Sequence, residues 1–194
     1  MAKAIITNRQ KQAIRTKNKV YNAAINLMQK QGIQQTTIED ICKKAKVSVG
    51  SFYNYFKSKD DVLLSIYESA DQYFRDVVEC EIEGFSGKEK IVAFFLHYAR
   101  YNFNTGLDFT KHLYFNSENK LFLDRDRYMH VMLRNILEAA QGESSIDADL
   151  SVSDLGEFLF LVARGIVCDW CLNDGDYNLE EKTALHFRAI VDKL

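Results

Sequence analysis

The sequence predicts an all-α fold of about nine helices, and three observations point to it. The 194 residues include no proline, a residue that breaks helix interiors and is frequent in turns and edge strands. Apolar residues recur at spacings of three and four, as on one face of an amphipathic helix. Glycines, which commonly end helices, stand where these stretches stop, at Gly32, Gly84, Gly106, Gly142 and Gly175.

The first two helices each have an apolar stripe and a boundary signal. A basic lead, Lys3 to Lys19, runs into the first helix, and Gly32 ends it. The stripe of this helix consists of Val20, Ala23, Ala24, Leu27 and Met28. Thr36 is followed three residues later by Glu39, the pattern of a capping box, which predicts the start of the second helix.

The third and fourth helices are predicted from serine caps. Ser48 can cap a third helix that carries Phe52 and Phe56 one turn apart. Ser58 can cap a fourth helix, whose first-turn acids suit the helix dipole. The apolar stripe of the fourth helix continues for about five turns, which places this helix at about residues 60–83.

Beyond residue 87 the same periodicity predicts five more helices, at about 88–104, 107–116, 119–141, 153–173 and 179–193. Two stretches are apolar nearly all round, Ile91 to Phe103 and Leu155 to Leu172. A helix without a polar face must be covered on every side. We therefore expect each of them to pack in a core or against a partner chain.

Charge divides the chain into two parts. Residues 1–59 contain 12 Lys and Arg against 2 Asp and Glu, a balance of +10, and residues 60–194 contain 13 against 25, a balance of −12. Such asymmetry indicates an N-terminal domain that meets a polyanion and a second domain that does not. We therefore predict an N-terminal domain at 1–59, continuing into the linking helix at about 60–83, and a second domain at 60–194.

Several functional classes receive no support. No apolar stretch approaches the roughly 20 residues of a membrane span, and Met1 to Lys11 lacks the apolar core expected of a secretion signal. Four cysteines do not make a disulfide framework, so we expect a cytoplasmic protein. Cys168 and Cys171 form a CxxC outside any βαβ setting, which favours packing within a helix over thiol sensing. No metal site, cofactor motif or catalytic motif is found, and we predict that the chain is not an enzyme.

One segment carries a specific motif. Residues 37–56, TIEDICKKAKVSVGSFYNYF, predict two short helices joined by a tight turn within the basic domain, which is a helix-turn-helix. Over about residues 14–74 the sequence resembles the TetR family of bacterial transcriptional regulators. The residues that carry the resemblance are Thr36, Thr37, Ile38, Ile41, Ala45, Val47, Ser48, Gly50, Ser51, Phe52, Tyr53, Tyr55, Phe56 and Lys59.

The resemblance implies roles for nine residues on double-stranded DNA. Those implied to hold the phosphate backbone are Thr37, Ser48, Tyr53, Tyr55 and Lys59. Those implied to face the bases in the major groove are Val49, Gly50, Ser51 and Asn54. Packing in the small core is an alternative for Val49, Tyr53 and Tyr55. Lys46 departs from the family, which often has glycine at this turn position, and a positive φ there would cost lysine about 1 kcal/mol.

For the second domain the resemblance implies a homodimer and a small-molecule effector. Candidate dimer residues on the last two helices are Phe158, Val162, Gly165, Phe187, Ile190 and Val191. Candidate ligand residues, chosen from a stretch rich in aromatic side chains, are Phe94, Tyr98, Tyr101, His112, Tyr128 and Trp170. For both sets, packing in the core of the same chain is the alternative. A pocket built from these residues would favour an uncharged or weakly polar aromatic or lipophilic compound.

Together these features predict a helix-turn-helix DNA-binding domain followed by a helical effector-binding and dimerisation domain. The function we expect is that of a transcriptional regulator, acting as a repressor that a small molecule releases from a palindromic operator. The alternative is a helical enzyme or interaction module whose basic N-terminal region is incidental.

Overall fold

The computed structural model describes residues 7–116 and 121–194, and within these ranges no residue lies in a β-strand. The all-α prediction is confirmed. Residues 3–6 of the basic lead, and residues 119–120 at the start of the predicted helix 119–141, lie outside the described ranges. The helices are α1 (Asn8–Gln31), α2 (Ile38–Ala45), α3 (Val49–Tyr53), α4 (Lys59–Tyr73), α5 (Glu79–Glu81), α6 (Gly87–Thr105), α7 (Leu107–Tyr114), α8 (Tyr128–Gly142), α9 (Val152–Leu172) and α10 (Leu179–Val191).

The chain divides into two compact units, Met1–Ile66 and Tyr67–Leu194, called here the head and the body. The division falls within α4, whereas the charge pattern suggests a boundary at residue 59. A π-helical turn, Phe74–Val78, joins α4 to α5 without a break. When α4, the π-helical turn and α5 are counted as one helix, the described residues form nine helices, besides a short 3-10 turn at 121–123. None of these helices is long and apolar enough to cross a membrane.

The helices of the head begin at polar side chains that cap them. Thr37 caps α2: its hydroxyl accepts from the N–H of Asp40 at 3.1 Å, and Asp40 reaches back to the N–H of Thr37. The sequence pattern placed this box on Thr36 and Glu39, which is wrong by one residue. Thr36 is instead buried and donates to the carbonyl of Gly32 at 2.9 Å. The cap predicted at Ser48 is confirmed, because its hydroxyl accepts from the N–H of Ser51.

The core of the head is formed by side chains from all four of its helices. Phe52 on α3 is completely buried, and its ring contacts that of Phe56 at 5.8 Å between centroids. α3 is shorter than predicted. It ends at Tyr53, so Phe56, which was expected on this helix, lies beyond its end. The other buried apolar residues of the head are Val20, Ala23, Ala24, Met28, Ile33, Ile41, Cys42, Ala45, Val62, Leu63 and Ile66.

In the body, α6 contacts α7, α8, α9 and α10. Its Phe95 stacks on Phe187 of α10, with 4.1 Å between ring centroids and 19° between planes, and meets Phe160 of α9 edge-on at 5.6 Å. All three side chains are almost fully buried. The expectation that the apolar stretch from Ile91 is covered by core is therefore confirmed for its inward face.

The connection into α8 differs from the prediction. A helix was expected from residue 119, but residues 121–123 form a 3-10 turn and α8 starts at Tyr128. The carboxylate of Asp124 accepts from the N–H of Asp126 at 3.0 Å, and Arg127 has an extended backbone with ψ of 144°. Such a local bond from side chain to backbone competes with the helix. The periodicity of the apolar residues alone could not reveal this.

Candidate nucleic-acid interface and ligand cavity

The start of α3 is exposed on the surface of the head. Val49 is 39% exposed and Tyr53 is 55% exposed, so neither side chain is packed in the core. A Cβ built on Gly50 would have no atom within 4 Å, and the φ of Gly50 is not positive. Small and apolar side chains on an exposed helix start leave room for another molecule to approach the backbone.

Of the nine residues that the sequence assigned to DNA, six are exposed, namely Thr37, Ser48, Val49, Gly50, Tyr53 and Asn54. Ser51, Tyr55 and Lys59 are half-buried. The hydroxyl of Thr37 also donates to Asp40 at 2.7 Å, so it is already engaged within the head. The remaining exposed groups lie on and next to α3. This set is the candidate nucleic-acid interface.

Lys46 has the positive φ that the turn position suggested. Its φ and ψ are 56° and 48°, the left-handed conformation that favours glycine. The side chain is exposed, and Lys43, Lys44 and Lys57 are exposed too. No role was predicted for the last three. The positive charge balance of residues 1–59 is the sequence feature that could have indicated these lysines. Exposed lysines commonly contact phosphates in DNA-binding proteins.

The ammonium of Lys59, predicted to contact phosphate, is engaged within the head. Its ammonium donates to the carbonyl of Ile33 at 2.6 Å and to that of Thr36 at 3.0 Å. These carbonyls lie in the turn between α1 and α2. A charged donor satisfies both of them, so Lys59 at the start of α4 fastens this turn.

We expect Lys59→Ala to lower the free energy of unfolding by about 1–3 kcal/mol, because two carbonyls lose a charged donor. Chemical denaturation of the full chain measures this change. Lys57→Ala is the matched control, since Lys57 is exposed and only its backbone N–H is bonded, to Asp61 at 2.8 Å. Equal stabilities of the two variants would show that Lys59 does not anchor the turn.

A small cavity lies in the body among α4, α6, α8 and α9. Its volume is about 20 Å³, room for about one water molecule. Tyr98 and Tyr101 contribute to its wall, as the sequence analysis predicted for a ligand site. The other lining residues are Ala70, Phe74, Asn102, Phe122, Arg127, Met129, His130, Phe160 and Arg164.

Four other predicted ligand residues do not line this cavity. Phe94 is fully buried between Phe74 and Phe160, and Trp170 is buried with its indole N–H donated to the carbonyl of Tyr177 at 3.2 Å. His112 is half-buried on α7. Tyr128 borders a separate open cleft and donates to Glu79 at 2.5 Å. For Phe94 and Trp170 the alternative of core packing is the correct one.

The polar side of the cavity is basic, which the sequence analysis did not foresee. Arg127 and Arg164 line it, and Arg127 pairs with Asp71 at 2.9 Å. His130, on the same wall, has its pKa lowered to about 4, first by burial and then by Arg125, Arg127 and Arg164. With Arg127 paired to Asp71 and His130 neutral above about pH 4, Arg164 carries the remaining positive charge of the lining. No local sequence pattern indicates this, because Arg164 on α9 lies far along the chain from Arg127 and His130.

The lowered pKa of His130 predicts acid sensitivity. The folded pKa of about 4 lies below the ordinary value of 6.5, so the folded state disfavours the proton. The lowered pKa therefore contributes to the free energy of unfolding in full above about pH 6.5, and this contribution is lost as the pH falls towards 4. We expect the melting temperature of His130→Gln to fall less than that of the wild type as the pH is lowered from 6.5 to 4. His186→Gln, at an exposed position, is the control and should behave as the wild type does. Parallel melting curves for all three proteins would contradict the prediction.

The predicted dimer residues fall into two groups. Phe187 and Val191 lie in the core of the body, at 0% and 1% exposure, so their side chains are not available to a partner chain and that assignment is withdrawn. Phe158 is 47% exposed, Gly165 is exposed, and Val162 and Ile190 are half-buried. Three further apolar side chains on α9 and α10, missed by the sequence analysis, are exposed by more than half: Leu161, Leu172 and Leu185.

The cysteines are all free. Cys171 is buried and Cys168 is half-buried on α9. Burial raises the pKa of both thiols, that of Cys171 to about 11. A raised pKa keeps a thiol protonated and unreactive, which agrees with packing within the helix.

The fold and the exposed α3 define a helix-turn-helix protein with a separate helical body. Comparisons with known proteins make the class specific. The sequence model of the family described as "Bacterial regulatory proteins, tetR family" matches residues 20–66. The fatty acid metabolism regulator protein of Bacillus subtilis is 25% identical over 82% of this chain and 86% of its own.

Two solved structures share the fold. The transcriptional regulator FadR from Bacillus subtilis, in complex with stearoyl-CoA, has a TM-score of 0.70 at 22% identity and covers 91% of this chain and 98% of its own. FadR from Thermus thermophilus, a TetR-family repressor in complex with lauroyl-CoA, has a TM-score of 0.67 at 20% identity. It covers 90% of this chain and 92% of its own. Residues 20–66 therefore carry the DNA-binding domain of the TetR family, and the chain is a DNA-binding transcriptional regulator, as its relatives are.

Proposed function

We propose that the chain is a homodimeric repressor that leaves a palindromic operator when its body binds a long-chain acyl compound. The observation that carries the effector class is the cavity, which has a wall of aromatic and aliphatic side chains and two arginines at its polar side. An acyl chain with an anionic or strongly polar end matches such a lining. This revises the uncharged aromatic or lipophilic ligand expected from the sequence.

The DNA contacts are proposed from the exposed surface of the head. Ser48, Gly50 and Ser51 allow close approach of the α3 backbone, while Tyr53, Asn54 and Tyr55 offer polar groups. Lys46 adds an exposed charge at the turn. Val49 provides only a methyl contact, which would select thymine. Lys59 has a supporting role, since its ammonium is bonded within the head.

The relatives support the effector class. The Bacillus subtilis relative is named as a regulator of fatty acid metabolism, and two proteins with the same fold were solved with acyl-CoA molecules. The cavity of about 20 Å³ is too small for an acyl chain, so binding requires a second, open arrangement of the body. A ligand that enters only the open arrangement shifts the population towards it. We propose that the closed arrangement is the one that binds the operator.

Dimerisation is proposed through α9 and α10. Exposed apolar side chains on these helices, Phe158, Leu161 and Leu185 among them, form the kind of surface that a partner covers. Two heads about 34–36 Å apart would read successive major grooves of a palindrome. DNA is the target and the thiols are free, so we place the protein in the cytoplasm.

Leu185→Glu should weaken the dimer by at least about tenfold, because a buried unpaired carboxylate is costly. Leu123→Glu is the matched control: both leucines are 68% exposed, but Leu123 lies outside α9 and α10. Sedimentation equilibrium measures the dissociation constants. A monomeric wild type would contradict the proposed dimer. Equal weakening by both variants would place the interface elsewhere.

The test of the whole proposal begins with selection of bound DNA from a random pool, followed by anisotropy titrations on the recovered site. We expect a palindrome, an affinity that falls steeply with salt, and release by stearoyl-CoA but not by coenzyme A alone. Recovery of no preferred sequence would overturn the role as a specific regulator. Operator binding that acyl-CoA leaves unchanged would overturn the effector class only.

A further inference from the structure

An anion-binding arrangement lies beside the cavity, and a carboxylate of the chain itself occupies it. The Nε of Arg127, a side chain only 7% exposed, donates to Oδ2 of Asp71 at 2.9 Å. Oδ1 of the same carboxylate accepts from the backbone N–H of Met129 at 3.2 Å. Met129 lies in the first turn of α8, a 15-residue helix without a side-chain cap of its own. Asp71, on the last turn of α4, therefore caps α8 from another helix.

These partners are the ones that proteins use for carboxylates and phosphates. An arginine fork and the N–H groups at the start of a long helix together make an anion site. Arg127 and Met129 both line the cavity, and Arg164 lines it too. Arg125, which does not line the cavity, pairs with Glu157 through Nη2 at 2.6 Å, and its Nη1 is buried without a hydrogen-bond partner among the described residues. The cavity thus has two arginines, one of them paired with Asp71, in a lining that is otherwise mostly aromatic and aliphatic.

We propose that Asp71 is an internal stand-in for the anionic group of the effector, an amphiphile with an acyl chain and a carboxylate or phosphate. This inference rests on the proposed function, because it concerns the same cavity. When the effector enters, its anion takes over Arg127 and the N–H of Met129, and Asp71 leaves them. An ion pair between α4 and the start of α8 is then exchanged for one between ligand and α8. Effector binding in this way detaches the last turn of α4.

The exchange makes a prediction that a purely structural ion pair does not. Two anions that compete for one site exclude each other, so removing the charge of Asp71 should strengthen binding of the anionic ligand. Asp71→Asn keeps the size of the side chain and removes its charge. If Asp71 served only to hold the body together, the variant would bind charged and uncharged ligands with equally altered affinity.

The experiment uses the full chain and three probes with the same twelve-carbon tail: laurate, lauroyl-CoA and uncharged dodecan-1-ol. Calorimetric titration gives the affinity of each probe for the wild type and for Asp71→Asn. We expect Asp71→Asn to bind an anionic probe about tenfold more tightly than the wild type does, as for one charged hydrogen bond, and to bind dodecan-1-ol within about twofold. A gain for laurate alone identifies a carboxylate as the natural anion, and a gain for lauroyl-CoA alone identifies a phosphate.

Equal changes for charged and uncharged probes would overturn the exchange while leaving the acyl effector in place. If no twelve-carbon probe bound the wild type, both the acyl effector and the exchange at Asp71 would be contradicted. The proposed binding to an operator would not be affected. Arg164→Gln provides a second measurement should Asp71→Asn not fold. It should weaken laurate or lauroyl-CoA about tenfold and leave dodecan-1-ol unchanged. Loss of all three probes to the same extent would contradict a cationic end of the site.

Discussion

Gly50→Glu is expected to abolish operator binding while leaving the head folded. The new side chain meets open space, and the φ of Gly50 is one that any residue adopts. Replacing glycine within a helix can even add about 0.5–1 kcal/mol of stability. On DNA, however, a carboxylate at this position would lie against bases and phosphates. The loss of contacts worth about 1–3 kcal/mol each, together with repulsion of like charges, should weaken binding at least about 100-fold.

Gly50→Ala is the matched control for this experiment. It adds a Cβ at the same open position without charge, so the loss of DNA affinity should be much smaller. Anisotropy titrations on the selected operator give the affinities, and thermal melting gives the stabilities. Full operator affinity in Gly50→Glu would mean that α3 does not face the duplex, and the proposed docking would be lost.

Phe52→Ala should produce the largest loss of stability in the head. Its ring is completely buried and contacts Tyr53 and Phe56. Truncating a buried phenylalanine costs about 3–5 kcal/mol, a large share of the stability of a small domain. We expect the amides of α2 and α3 to lose protection from hydrogen exchange and operator binding to disappear. The amides of α6 and α10, in the body, should keep their protection.

Tyr53→Ala is the control at the neighbouring position, where the side chain is 55% exposed. It should keep the head protected and lower only the affinity for DNA. Comparable loss of protection in the two variants would contradict the burial pattern that separates them. Amide exchange followed by mass spectrometry resolves both units in one measurement.

The head could be predicted closely from the sequence because its determinants are local. Ser48 and Ser58 were recognisable as caps, and the hydroxyl of each accepts an N–H three residues on. The error between Thr36 and Thr37 arose because two threonines stood together and both Glu39 and Asp40 could complete a box. The position of the ammonium of Lys59 depends on residues 23 and 26 positions away, and no local pattern contains that information.

The cavity could be predicted only in its aromatic part. Tyr98 and Tyr101 lie one turn apart on α6 and were found as members of an aromatic stretch. Arg127 was not, because Asp124 to Arg127 are four consecutive charged residues, a pattern typical of a solvated surface. Its burial follows from the pairing with Asp71, 56 residues away. Likewise, periodicity could not separate the buried Phe187 from the exposed Leu185 beside it.

The small volume of the cavity has a kinetic consequence. With room for about one water, the cavity as it stands cannot admit the proposed acyl tail, so capture of the proposed effector would wait for a spontaneous opening. Raising the effector concentration then speeds capture only up to the opening rate, where the observed rate levels off. In the proposed mechanism, the maximal rate of derepression is accordingly the rate at which Phe122, Phe160 and their neighbours move apart, even at high effector concentration.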